Sequence, residues 1–168
     1  MDRVISNRSY VQISKNDLKL LGKLAEYDRE DFFRRYPERG IYYKNNILCV
    51  VLCQGASLHY IDGRNGIKDF DVWTFYKKDP AVKQFPPRRL ISVDFGPSKF
   101  GKQGQDSRYL GRKVDLLGRS IEWEKGEKYD FSLKRYFISK STKSAQLLAK
   151  KASIVIEPYQ DIGKIIWP

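Results

Sequence analysis

Apolar and polar positions recur with two different periods along this chain, and the changes of period mark its elements. After Ser14, the residues Leu18, Leu21 and Ala25 recur at helical spacing with Leu20 and Leu24 beside them, which predicts a helix over about 15–35. Ser14-Lys15-Asn16-Asp17 carries the side chains of a capping box at its start, and Pro37 ends it. Ile47 to Leu52 is an unbroken apolar run of strand length, the pattern of a strand covered on both faces. Gly55-Ala56-Ser57 follows at once, then a short helix-compatible stretch, 58–61, and a turn marked by Gly63 and Gly66.

From Lys68 to Tyr76 the period becomes two. Phe70, Val72 and Thr74 fall on one face of this second strand, and Asp69, Asp71 and Trp73 on the other. A Pro- and Lys-containing connection over 77–88 leads to a third strand at 90–95, and a glycine-rich basic loop at 96–111 to a fourth at 113–117. Ser141 opens a helix through about 152 with Ala145, Leu148, Ala149 and Ala152 as its apolar stripe, and 154–156 adds a last strand before Pro158. Residues 1–13 read as a short strand or ordered arm. Neither an internal repeat nor a linker divides the chain. The order of elements predicts one α/β (α+β) domain over 1–168, a mixed sheet packed by helices, with its core at about 40–120 and a C-terminal helix and strand at about 141–157.

Composition narrows the function. No apolar run reaches the roughly 18 residues that cross a bilayer, and MDRVISNRSY lacks the apolar core of a signal peptide. Two cysteines and one histidine argue against a disulfide scaffold and a zinc finger, and leave only His59 for a histidine-based triad. A cytoplasmic protein with reduced thiols, not associated with a membrane, is the expectation. Lys and Arg number 32 against 20 acids, a net charge of +12, which favours a polyanionic partner.

Candidate chemistry lies in three features taken in order. A buried strand runs into Gly55-Ala56-Ser57, Asp69-Phe70-Asp71 lies within the next strand, and Asp115 stands between Val114 and Leu116 on a later one. Strand residues at i and i+2 share a face, roughly 6.5–7 Å apart. Two carboxylates so placed converge on a hard cation such as Mg²⁺ or Mn²⁺, and a third from a neighbouring strand completes a two-metal cradle. Gly55 admits a phosphate close to the backbone, and Ser57 offers a hydroxyl near a helix N-terminus. Asp94, in Ile-Ser-Val-Asp-Phe, has a setting like that of Asp115 and is the rival third carboxylate. His59 lies just past the turn, either as a phosphate or base contact or as a hydrogen-bonded structural residue. Cys49 and Cys53 read as core.

The ordered set Gly55-Ala56-Ser57, Asp69-Phe70-Asp71 and Asp115 resembles the polymerase-β-type nucleotidyltransferase superfamily, which pairs a small-residue turn with an Asp-x-Asp strand and a third strand aspartate. Gly-Ala-Ser-Leu-His-Tyr followed by Gly-Arg-Asn-Gly-Ile-Lys-Asp-Phe-Asp-Val is most similar to its abortive-infection type, over about residues 47–76 and more loosely to 120. Ala56 departs from the usual second small residue, Gly or Ser. Lys68 stands where the family often has a small or acidic residue. The resemblance implies metal-dependent transfer of a nucleotide from an NTP to an acceptor. Asp69 and Asp71 would be ligands, and Asp115 a ligand or the base on the acceptor hydroxyl. Gly55, Ser57, Arg64 and Lys68 would lie at the phosphates. A non-catalytic nucleic-acid-binding module of similar fold and a metal-dependent nuclease are the competing expectations.

The acceptor is expected from the basic segments. Residues 99–119 hold Lys99, Lys102, Arg108, Arg112, Lys113 and Arg119, and residues 134–151 hold Lys134, Arg135, Lys140, Lys143, Lys150 and Lys151. Interleaved with Tyr109, Tyr136 and Phe137, they match an RNA or single-strand surface, or else a solvated face over a core. Lys99, Lys102, Arg108, Arg112, Lys140, Lys143 and Lys150 are the expected nucleic-acid contacts. RNA such as tRNA and a protein hydroxyl both remain open as acceptors.

Overall fold

The computed structural model describes residues 12–63, 67–82, 90–97 and 111–168. Residues 1–11 of the arm expected at 1–13, and 98–110 of the glycine-rich loop expected at 96–111, lie outside the described residues. The chain forms α1 (Lys15–Arg35), α2 (Pro37–Tyr43), β1 (Ile47–Cys53), α3 (Gln54–Asp62), β2 (Asp69–Lys77), β3 (Leu90–Pro97), β4 (Gly111–Ile121), α4 (Tyr129–Ser139), α5 (Lys143–Leu148), β5 (Ser153–Glu157) and β6 (Ile165–Trp167). One six-stranded sheet has the order β3-β4-β2-β1-β5-β6. Among the described residues β2 and β4 pair in parallel and the other neighbours antiparallel, so the sheet is mixed and the fold is α/β as expected. No helix among the described residues is long and apolar enough to cross a membrane.

The period of two in β1 explains its continuous apolar run. Val50 and Leu52 enter one core with Leu18, Leu21 and Ala25 of α1, while Cys49, Val51 and Cys53 enter the other with Leu133, Phe137 and Leu148 of α4 and α5. Both faces of the strand are covered, so no polar position alternates along it. Burial pushes the Cys53 thiol up to about 12 and the Cys49 thiol higher still, which leaves both as inert core groups.

The capping box at α1 forms as the sequence predicts. The Ser14 hydroxyl accepts from the Asp17 amide at 3.2 Å, and the Asp17 carboxylate accepts from the Ser14 amide at 2.8 Å. Pro37 ends α1 and also opens α2 at its first turn, where its missing N–H costs nothing. Other boundaries shift. The C-terminal helix starts after Thr142 rather than Ser141, because Thr142 accepts from the Ala145 amide at 3.1 Å. It stops at Leu148, short of the expected 152. α2, α4 and β6 are absent from the sequence expectation.

Helix α1 crosses the sheet closely at Gly22, where an added Cβ would lie 2.9 Å from Ile156 Cγ2, a fully buried methyl. Alanine there gains about 1 kcal/mol of helix propensity, and overpacking costs about 1–3 kcal/mol. Gly22→Ala is therefore expected to destabilise the fold by about 1 kcal/mol, read as a lower urea midpoint at unchanged slope.

Candidate active site

Three register relations assemble the site. Asp71 on β2 lies directly beside Asp115 on β4, and Asp69 beside Lys113. On the other flank Asp71 pairs with Cys53, the last residue of β1 and the N-cap of α3. Asp69, Asp71 and Asp115 therefore share the face that carries Trp73 and Leu117, at the sheet end where β1 runs into α3. Helices α4 and α5 cover the rest of this face and α1 covers the opposite one.

The electrostatics follow from this placement. Asp71 is partly buried and its carboxyl is pushed up to about 6, first by burial and then by the charges of Asp69 and Asp115, with Lys151 and Lys113 opposing. Lys113 Nζ lies 3.6 Å from Asp115 Oδ1, and the Asp115 side chain is 14% exposed. Among the described residues no three His, Cys, Asp or Glu side chains are gathered as a metal would require. Carboxylates are the oxygen donors that Mg²⁺ takes, and the backbone register makes Asp71 and Asp115 neighbours, but their side chains are not gathered into a metal-binding group. Asp94, the rival carboxylate, pairs with Lys113 on β3, one strand farther from β2.

The turn between β1 and α3 departs from the expected division of roles. Ser57 is fully buried, and its hydroxyl lies 2.6 Å from both the Gln54 and the Ala152 carbonyl oxygens. A hydroxyl that donates to these carbonyls ties α3 to the segment entering β5; it is not presented to a phosphate in solution. Gly55 is exposed, with no atom of the described residues within 4 Å of an added Cβ, so none of them fills the space beside the first turn of α3. The left-handed residue is not Gly55 but Gln54, at φ 63°. Glutamine holds that conformation at a cost of order 1–2 kcal/mol. Its Nε2 is buried without a hydrogen-bond partner among the described residues. His59 is fully buried in α3, in keeping with the structural alternative. Lys68 is exposed immediately before β2. Arg64 lies outside the described residues.

The basic segments divide. Lys140, Lys143 and Lys150 are exposed, as is Lys151, which precedes the Ala152 carbonyl held by Ser57. Arg119 and Arg135 are turned inward in part, Arg119 to the Ser144 hydroxyl at 3.1 Å and Arg135 to Glu127. Tyr136 and Phe137 pack in the core with Phe75, so they are not stacking platforms for bases. Lys99, Lys102, Arg108 and Tyr109 lie outside the described residues, and so does the Arg112 side chain. Lys113 and Lys151, which the sequence reading places in the basic segments, and Gln54, which it passes over, are the residues it does not bring to the site. The i, i+2 spacing of Lys113 to Asp115 is a local signal for the first, whereas the other two depend on contacts remote in sequence. Comparison with protein-family models, with curated proteins and with solved structures finds no match to this chain.

Proposed function

We propose that this chain is a metal-dependent nucleotidyltransferase of the polymerase-β type, moving a nucleotide from an NTP to an acceptor. The observation that carries the reading is the direct pairing of Asp71 with Asp115, at the sheet end where β1 enters α3. Asp69 and Asp71 would hold Mg²⁺ or Mn²⁺, and Asp115 would ligate it or take the proton of the acceptor hydroxyl. The metal supplies charge neutralisation of the triphosphate and a lowered pKa at the attacking oxygen. The exposed first turn of α3, at Gly55, would receive a phosphate on its N–H groups, and Lys68 is the basic residue expected to reach it. Ser57 serves as a strut. The two free buried cysteines suit a cytoplasmic setting.

The reading is tested by incubating the chain with each labelled NTP, Mg²⁺, and total RNA or total protein. Incorporation with release of pyrophosphate supports it. The commitment of Ser57 to two carbonyls favours a second reading, a nucleic-acid-binding module without catalysis. NTP consumption separates the two, and cleaved RNA without pyrophosphate would indicate a nuclease.

RNA is the acceptor that the charge favours. If Lys140, Lys143 and Lys150 contact phosphates, RNA affinity falls steeply as salt rises, through counterion release. Removing all three charges is expected to flatten the slope of log K against log salt by roughly one unit per lost contact. Labelled RNA binding at several salt concentrations measures this. Identical slopes for wild type and the triple variant would leave these lysines as solvated surface and move the acceptor toward protein.

A further inference from the structure

Helices α1 and α2 enclose a groove of about 820 Å³ that no other described residue fills. Glu26, Glu30, Phe33 and Arg34 share one face of α1, and Pro37, Gly40, Ile41 and Lys44 recur at the same helical spacing through α2. Gly40 brings the two helices together, since an added Cβ there would lie 3.3 Å from Phe33 Cβ. Phe33 and Ile47 give the groove an apolar floor, and Ile41 stands on its wall. Ile41 is 78% exposed, the most of any large apolar side chain among the described residues. Arg29 is committed to Glu157 at 3.2 Å. The other charges in the groove balance, Glu26 and Glu30 against Arg34 and Lys44. In a chain of net charge +12, a balanced groove does not draw a polyanion. Along α1 the signs are also segregated, with Glu26 and Glu30 two turns and one turn before Arg34. Arg34 meets Asp31 at 3.5 Å but is 73% exposed, so it can take a second carboxylate. A helix face that runs from acidic to basic is complementary to itself when turned about a twofold axis.

We propose that this groove is the contact between two copies of the chain, joined about a twofold axis with their α1 helices antiparallel. Glu30 and Arg34 are one turn apart, so they flank the axis, and Glu30 of each copy faces Arg34 of the partner subunit. Ile41 of each copy enters the groove of the other. Burial of the apolar side chains supplies the affinity, and the exposed charges fix the orientation. The eleven residues lining the groove are fewer than the roughly 20–30 a side of a standard interface, so the dimer dissociates with a Kd on the order of 10 µM. Strand β1 begins at the groove, at Ile47, and ends at Cys53 beside Asp71, roughly 20 Å away. The contact is therefore remote from the candidate active site and does not depend on what that site does.

The test is sedimentation of the full chain from about 1 to 300 µM, a range that brackets this Kd. The wild type should pass from monomer to dimer within it. Ile41→Glu should dimerise about 30-fold or more weakly, because it sets a carboxylate in the apolar contact, while melting as the wild type does, because the side chain is exposed in the monomer. Glu30→Lys and Arg34→Glu should each dimerise about tenfold or more weakly, since each places like charges across the axis twice. Mixed in equal amounts, these two variants should associate about as tightly as the wild type, because the mixed dimer has an opposite-charge pair at both positions. A mixture no tighter than either variant alone, or an Ile41→Glu protein that dimerises like the wild type, would overturn the proposal. A wild type that stays monomeric throughout would overturn it as well, and would leave the groove to a partner of another kind.

Discussion

Replacing Asp71 by asparagine is expected to lower nucleotide transfer on the order of a thousandfold, the scale of removing one fixed electrostatic stabiliser of a transition state, while making the metal-free protein more stable at pH 7. The second half follows from where Asp71 sits. Burial, then the charges of Asp69 and Asp115, push its carboxyl up to about 6 from the ordinary 3.8, against the pull of Lys151 and Lys113. A group whose folded pKa is raised binds its proton more tightly in the folded state. Its contribution to stability is fully present below the unfolded value, near 3.8, and is lost as pH rises through about 6. At pH 7 the ionised carboxylate is held at a cost, and asparagine removes it. The expected gain is about 1–2 kcal/mol, less than two full pKa units would give because the group is partly open to solvent. Thermal unfolding of both proteins without divalent cations, from pH 4 to pH 8, measures it. The variant should be the more stable above pH 6 and the two should converge near pH 4. A variant less stable at pH 7 would mean that Asp71 is held by favourable partners instead of crowded by like charges.

Gly55→Val should separate binding from folding in the opposite way. A Cβ at Gly55 meets no atom of the described residues within 4 Å, and the glycine has no left-handed φ to lose. Stability is therefore expected to change by less than about 0.5 kcal/mol, as for other unencumbered surface positions. The added methyls stand where a phosphate would approach the first-turn N–H groups of α3, and NTP affinity should drop about tenfold or more. Calorimetry with each NTP, beside a melting curve, measures the two effects. Unchanged affinity in a folded protein would move the phosphate site away from α3.

Much of this arrangement is visible locally. The capping box of Ser14 and Asp17, the doubly covered run of β1, and the alternation that puts Asp69 and Asp71 on one face of β2 each depend on neighbours within a few residues. Helix α4 is not visible in that way. Its buried residues Leu133, Tyr136 and Phe137 are offset by exposed Phe131 and Ile138, so the apolar stripe has no clear edge. The hydroxyl of Ser57 meets a carbonyl 95 residues away, at Ala152, a contact that no local pattern encodes. For the same reason a serine two residues after a glycine reads as a phosphate ligand when the fold uses it as a strut. The left-handed backbone falls on Gln54 because the chain turns from β1 into α3 at that residue, and a glutamine carries no sign of it. The choice of Asp115 over Asp94 depends on strand order. Only the parallel pairing of β4 with β2 makes Asp115 the neighbour of Asp71, while Asp94 stands one strand beyond.

The central claim, that Asp69, Asp71 and Asp115 form a metal-dependent site for nucleotide transfer, is tested most directly by pyrophosphate release. The full chain is incubated with each of the four NTPs and total RNA or total protein, with Mg²⁺ or with a chelator, beside Asp71→Asn. Pyrophosphate release that requires the metal and the acceptor, and is lost in Asp71→Asn although that protein melts at a higher temperature at pH 7 without the metal, is the result expected. A folded wild type that releases no pyrophosphate with any NTP and either acceptor, or an Asp71→Asn protein that releases it at the wild-type rate, would contradict the claim.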